Sequence, residues 1–226
     1  MPTIPQLTVS LAEFQGPEQI VPALKILLLF TILSIAPAIL ISMTSFTRIV
    51  IVLSFLRQAL GSQNVPPIQV IMILSVLLTG VVMTPVAQRL DAEAIEPYQQ
   101  KELNEKQAFE RAAAVARDFL VPQTREADLR LFYELNRTPL PKTQAEVGLH
   151  LLVPAFMISE LRTAFEMGFL IFLPFVLIDL IVASILTAMG MVMLPPTMLA
   201  TPLKLLLFVV VDGWSLLSRS LVASFN

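Results

Sequence analysis

Two stretches of this sequence carry no charged residue: Ile26 to Thr47, 22 residues, and Gln58 to Gln88, 31 residues. As a helix the first is about 33 Å long, enough to cross a hydrocarbon core. The second holds Pro66, Pro67 and Pro85. Its spacing predicts a helix that starts at the proline pair, where proline suits a first turn, and ends near Pro85. Between the runs lies Arg48 to Leu60, apolar but with Arg48 and Arg57. Of the 226 residues 56% are apolar and 14% charged, against roughly 45–50% and ~25% in an ordinary soluble domain. A soluble globule of this length could not hide that much apolar side chain, so some must face lipid or partner subunits. The chain reads as an all-α membrane protein.

The charges are concentrated. Residues 91–146 hold 11 of the 17 acids and 8 of the 15 bases. This gives four segments: a polar stretch over 1–20, an apolar helical hairpin over 21–90, a charged helical insert over 91–146, and a second apolar block over 147–226. Met1 to Gln19 lacks the basic start and apolar core of a signal peptide, so a signal has been removed or none is needed. In the insert, Glu102, Lys106 and Glu110 stand at i,i+4 spacing and predict a helix from Tyr98 to Leu120, stopped by Val121-Pro122. A second helix is expected from Arg125 to Leu135. Thr143-Gln144-Ala145-Glu146 has the form of a capping box, so a helix should start there. Phe109, Phe119, Leu129 and Phe132 are the expected packing residues of the insert, which is assigned an assembly role outside the membrane. The positive-inside rule, applied to Arg48 and Arg57, puts Arg48 to Leu60 in the cytoplasm and the insert on the opposite side.

The inventory excludes much. There is no cysteine and one histidine, which removes disulfides, thiol catalysis and Cys/His zinc sites. The net charge of −2 gives no footprint for nucleic acid. No phosphate-binding loop occurs, and His150 has no Ser or Cys at a recognisable spacing. Asp179 and Asp212 lack a flanking Gly-x-Gly-Asp type element, and two acids on helices are poor grounds for an aspartyl pair. No enzyme or cofactor is therefore expected. Prolines and charges nevertheless interrupt the apolar blocks: Arg48, Arg57, Glu160, Arg162, Glu166, Asp179, Lys204, Asp212 and Arg219. Each is costly against lipid, and broken backbone at membrane depth needs protein or a cavity around it. Two readings stay open on these grounds. One is a conduit or gate subunit whose faces are covered by partners. The other is an ion-coupled transporter subunit with Asp179 and Glu160 as a proton relay.

Four segments narrow this. They are Met43-Thr44-Ser45-Phe46-Thr47-Arg48-Ile49, continuing through Leu56-Arg57-Gln58-Ala59-Leu60-Gly61 to Pro66-Pro67; Pro154-Ala155-Phe156-Met157-Ile158-Ser159-Glu160-Leu161; Ile178-Asp179-Leu180, leading to Ala188-Met189-Gly190-Met191-Val192-Met193-Leu194-Pro195-Pro196; and Pro202-Leu203-Lys204 with Val211-Asp212-Gly213-Trp214. Together they resemble the FliP family of the bacterial flagellar export apparatus, called SctR in injectisomes. The resemblance implies a non-enzymatic subunit of a helical export gate in the bacterial inner membrane, within the flagellar basal body and with the insert periplasmic. It implies a pentameric arrangement of the chain with itself, co-assembly with FliQ and FliR, association with FlhB and FlhA, and passage of unfolded flagellar subunits.

Two site expectations follow. Glu160 and Lys204, each on an apolar helix, are expected to pair between adjacent subunits, with Asp179 a second candidate for such a contact. In the loop 189–198, Gly190 and the proline pair should break the helix and present Met189, Met191, Val192 and Met193. Unbranched methionine side chains, repeated around a pore, can close on variable contents. The resemblance points the same way: this loop matches the family's methionine gasket, with Val192 where many members have a third consecutive methionine.

Overall fold

The computed structural model describes residues 17–61, 65–191 and 193–225. The described residues form helices and turns with no strand. The polar stretch at the N-terminus and Val192 lie outside them for the most part and entirely, respectively. By contacts the chain divides at Leu40. The first unit is carried by α1 (Pro17–Ser42), whose side chains from Leu24 to Leu40 are almost all exposed, with large apolar groups on every side. A helix apolar all round is built for lipid or for other subunits.

The second unit is organised around α2 (Phe46–Ala59) and α7 (Leu149–Ala188). In α2 the residues Arg48, Ile49, Val52, Leu53, Leu56 and Ala59 are buried, an i,i+3/i+4 stripe. Arg48 to Leu60 is therefore no simple connection between spans. It is the central helix, and its stripe meets Ile71, Ala164, Phe175, Phe208 and Leu221 from the surrounding helices. The α3 helix (Ile68–Leu90) begins just after the proline pair, as expected, but passes through Pro85 and continues by a wider turn over Asp91–Ile95 into α4 (Glu96–Gln99). Proline removes one hydrogen bond, and in apolar helices neighbours and local widening of the turn absorb the loss.

The insert differs from its expected outline in two places. The helix expected from Tyr98 breaks after Gln99 and restarts as α5 (Glu105–Gln123). Asn104 accepts from the Gln107 backbone N–H, and the Gln107 side chain accepts from the Asn104 N–H. This is a true capping box. The Thr143–Glu146 box is not used: those residues make one tight turn, and α7 starts at Leu149. The Tyr133 hydroxyl accepts the Gly148 N–H at 3.2 Å, and Arg117 Nε donates to the Val147 carbonyl at 2.8 Å. Side chains of the insert thus hold this segment extended and delay the helix. The short helix α6 (Glu126–Leu135) lies where expected.

Helix α7 runs 40 residues through Pro154 and Pro174 without a break. A turn leads to α8 (Thr197–Val210), and a 66° bend to α9 (Gly213–Ala223).

Candidate functional site

The buried charges come first, because they decide how the helices meet. Arg48 on α2 is 3% exposed and Glu160 on α7 is fully buried. Arg48 Nε donates to Glu160 Oε2 at 2.9 Å, and Nη2 makes a second, short bond to Oε1. Nη2 also donates to Gln123 Oε1 at 3.0 Å, and Nη1 donates to the Ser224 carbonyl at 2.9 Å and the Ser224 hydroxyl at 3.0 Å. All five guanidinium donors are used. The Phe225 ring lies 3.7 Å below the same group, a cation–π contact. One arginine thus joins α2, α5, α7 and the end of the chain.

Lys204 on α8 is also buried. Its Nζ donates to Asp179 Oδ2 at 2.6 Å and to the Ala59 carbonyl at 3.0 Å. The ammonium therefore sits at the C-terminus of α2, where open carbonyls and the helix dipole favour a cation. The expected pairing of Glu160 with Lys204 is replaced within the chain by two separate pairs, Glu160 with Arg48 and Lys204 with Asp179. The sequence marks Arg48 as a flanking cation and as a charge within an apolar block, without naming its partner. An arginine 112 residues from its carboxylate gives no local signal. The same geometry weighs against a relay, since both oxygens of Glu160 are held by Arg48. Asp179 takes Lys204 and not Asp212. His150 is exposed.

The insert is fastened to α7 by polar contacts and by rings. Ser159 donates to Asp128 at 2.7 Å and accepts the Arg125 N–H at 3.0 Å. Arg125 donates to both oxygens of Glu166, at 2.6 and 3.1 Å. That bond holds the Arg125 guanidinium above its ordinary pKa against the cost of burial. The i,i+4 pair of Arg162 with Glu166 is present at 3.4 Å. Phe119 lies against Phe156 and Phe225, at 6.2 and 6.4 Å between centroids. Leu129 and Phe132 pack into the same cluster. Phe109 does not: it is 70% exposed, on the outer side of α5, so packing within the chain is not its role.

At the end of α7 the Gly190 N–H donates to the Thr187 carbonyl and the Met191 N–H to the Leu186 carbonyl. This is the paired bonding of a Schellman end, and it needs the left-handed Gly190 (φ +76°). The turn leaves Met189, Met191 and Met193 exposed, the last at 98%. Methionines at an apolar turn, turned away from their own chain, need another surface.

The sequence model of the FliP family matches residues 29–221. The chain belongs to the FliP family. The protein called Flagellar biosynthetic protein FliP from Bacillus subtilis (strain 168) is 45% identical over 217 residues, covering 96% of this chain and 98% of that one. The protein of the same name from Aquifex aeolicus (strain VF5) is 44% identical, with 93% and 89% covered. The one from Pectobacterium carotovorum subsp. carotovorum is 49% identical, with 90% and 79% covered.

The segments that carry the FliP resemblance are those that hold two of the ion pairs between helices. Arg48 comes from the first, Glu160 from the second, Asp179 from the third and Lys204 from the fourth. The Val211-Asp212-Gly213-Trp214 segment makes the bend. Asp212 takes the left-handed conformation (φ +51°). Gly213 lies under the Phe208 ring, where an added Cβ would come within 2.2 Å. Trp214 meets that ring edge-on at 5.2 Å.

Proposed function

We propose that this chain is a core subunit of the export gate of the bacterial flagellar type III secretion apparatus, embedded in the inner membrane. It forms a gated pore for unfolded flagellar proteins in a pentameric arrangement with FliQ and FliR, and FlhB and FlhA associate with that complex. The family match over residues 29–221 carries this reading. The exposed apolar helices support it, because a subunit surrounded by partners needs apolar faces, with the charges of its interior already paired within the chain. The insert then stands on the periplasmic side and braces α7 for assembly. The methionine turn is the gasket: Met189, Met191 and Met193, with Val192 among them, close the pore from several copies. The buried Asp179 Oδ1 has no hydrogen-bond partner among the described residues, which leaves it for a donor on a neighbouring subunit.

The test is the size of the species drawn from membranes in mild detergent, with flagellar export measured in a strain whose own copy is deleted. A large complex containing FliQ and FliR, and export restored by this chain, is the expected result. A stable, well-behaved monomer that restores export would count against the gate.

A further inference from the structure

The bend between α8 and α9 carries two opposite charges that the chain leaves without partners. Asp212 and Arg219 are exposed, and neither makes an ion pair or a side-chain hydrogen bond among the described residues. Arg48, Glu160, Lys204 and Asp179, in contrast, are neutralised in pairs. Asp212, which caps the start of α9, and Arg219, within it, stand seven positions apart, about 10 Å along the helix axis. With Ser215 and Ser220 they line a cleft of about 340 Å³. Val211 and Leu216 belong both to this cleft and to an adjoining slot of about 390 Å³. The walls of the slot are apolar, among them Leu56, Leu170, Phe175, Leu207, Phe208 and Leu217.

The geometry points to a phospholipid site, built for a zwitterionic aminophospholipid of the phosphatidylethanolamine type. The phosphate lies on the Arg219 guanidinium, which suits a phosphate with two parallel donors. The primary ammonium lies on the Asp212 carboxylate, the two serine hydroxyls face the remaining headgroup oxygens, and one acyl chain fills the slot. Three observations select this occupant. An apolar slot that opens onto a polar cleft matches an amphiphile. One charge of each sign matches a zwitterion, whereas an anionic headgroup such as phosphatidylglycerol would bring its phosphate to Arg219 and offer Asp212 only neutral hydroxyls, without a cation. The slot is also lined by apolar residues alone, so it takes an acyl chain and leaves both charges to the headgroup. The inference needs only that the bend lies in a membrane, and stands apart from the export-gate reading.

Trp214 makes the test direct. It is the chain's one tryptophan, and its ring touches the Phe208 that lines the slot. The full-length chain is reconstituted in phosphatidylcholine vesicles with rising fractions of phosphatidylethanolamine or phosphatidylglycerol bearing brominated acyl chains. Fluorescence of Trp214 should be quenched at about a fivefold lower fraction of the ethanolamine lipid, the scale of one partly exposed charge pair. Asp212→Asn keeps a side chain that tolerates the left-handed conformation and should abolish the preference. Arg219→Gln should weaken quenching by both lipids. Equal quenching by both in the wild type, a preference that survives Asp212→Asn, or no quenching at all would overturn the proposal.

Discussion

Arg48 shows how one side chain can fix the meeting of several elements. Its partners lie 75, 112 and 176 residues away in sequence, so no local pattern marks the pair. It also changes the weight of a topology argument: with its charge neutralised by Glu160 inside the core, Arg48 is not a flanking cation. Removing one member of such a buried pair strands the other and costs about 3–5 kcal/mol. Glu160→Ala should therefore lower the thermal midpoint of the detergent-solubilised protein sharply, and the Arg48→Glu/Glu160→Arg exchange should recover part of the loss. Arg48→Lys tests the fork. A lysine has three donors on one nitrogen and cannot reach Glu160, Gln123 and Ser224 together, so the last residues should become sensitive to carboxypeptidase. Resistance equal to wild type would remove the C-terminal anchor from the account. Gly213 is the second decisive residue. A Cβ there would overlap Phe208, and overpacking of this kind costs about 1–3 kcal/mol. Gly213→Ala should lower the same thermal midpoint, and adding Phe208→Leu should return part of it.

At the scale of elements, most of the helices were legible, because uncharged runs and i,i+4 charge spacing are local signals. The start of α3 after Pro66-Pro67, the position of α6 and the turn at Gly190 all lie where the sequence put them. The errors concern stops and starts set from outside. Pro85, the expected end of α3, stops nothing, since packing outweighs one lost hydrogen bond, and α7 passes through Pro154 and Pro174 in the same way. The Thr143–Glu146 box is overruled by Tyr133 and Arg117, which reach it from the insert. The Asn104–Gln107 box was readable and marks the true start of α5. Asn104→Ala should cost about 1 kcal/mol, seen as faster amide exchange in the first turn of α5, with α6 unchanged. The insert as a whole does more than link two spans. It covers Leu152 and Phe156 and supplies the partners of Ser159 and Glu166. Deleting Tyr98 to Asn136 should therefore abolish oligomer formation, read on a native gel, while membrane insertion persists. A deleted chain that still assembles would make the insert a tether.

For the whole molecule, length is the informative quantity. A helix of 40 residues is about 60 Å long, twice a hydrocarbon core of about 30 Å. The bilayer cannot cover α7 from end to end. Its N-terminal half carries Glu160, Arg162 and Glu166 and is clasped by the insert, whereas its C-terminal half ends in the methionine turn. That arrangement sets the turn at the far end of α7 from the insert. Rigidity there comes from the Schellman bonds of Gly190 and Met191 and from the prolines that follow. Adaptability comes from side chains that touch little of their own chain. A seal against ions that still yields to a polypeptide needs both, a fixed backbone carrying soft apolar ends. An apolar constriction also resists wetting when nothing passes. Replacing Met191 and Met193 together by alanine shortens the proposed seal and leaves the turn's backbone bonds in place. The complex should assemble as before, and cells should become leaky to ions or small sugars. Wild-type conductance from the assembled double variant in a membrane-leak assay would refute the gasket, while an increase confined to that variant, and absent from Met198→Ala on the neighbouring turn of α8, would assign the seal to the turn itself.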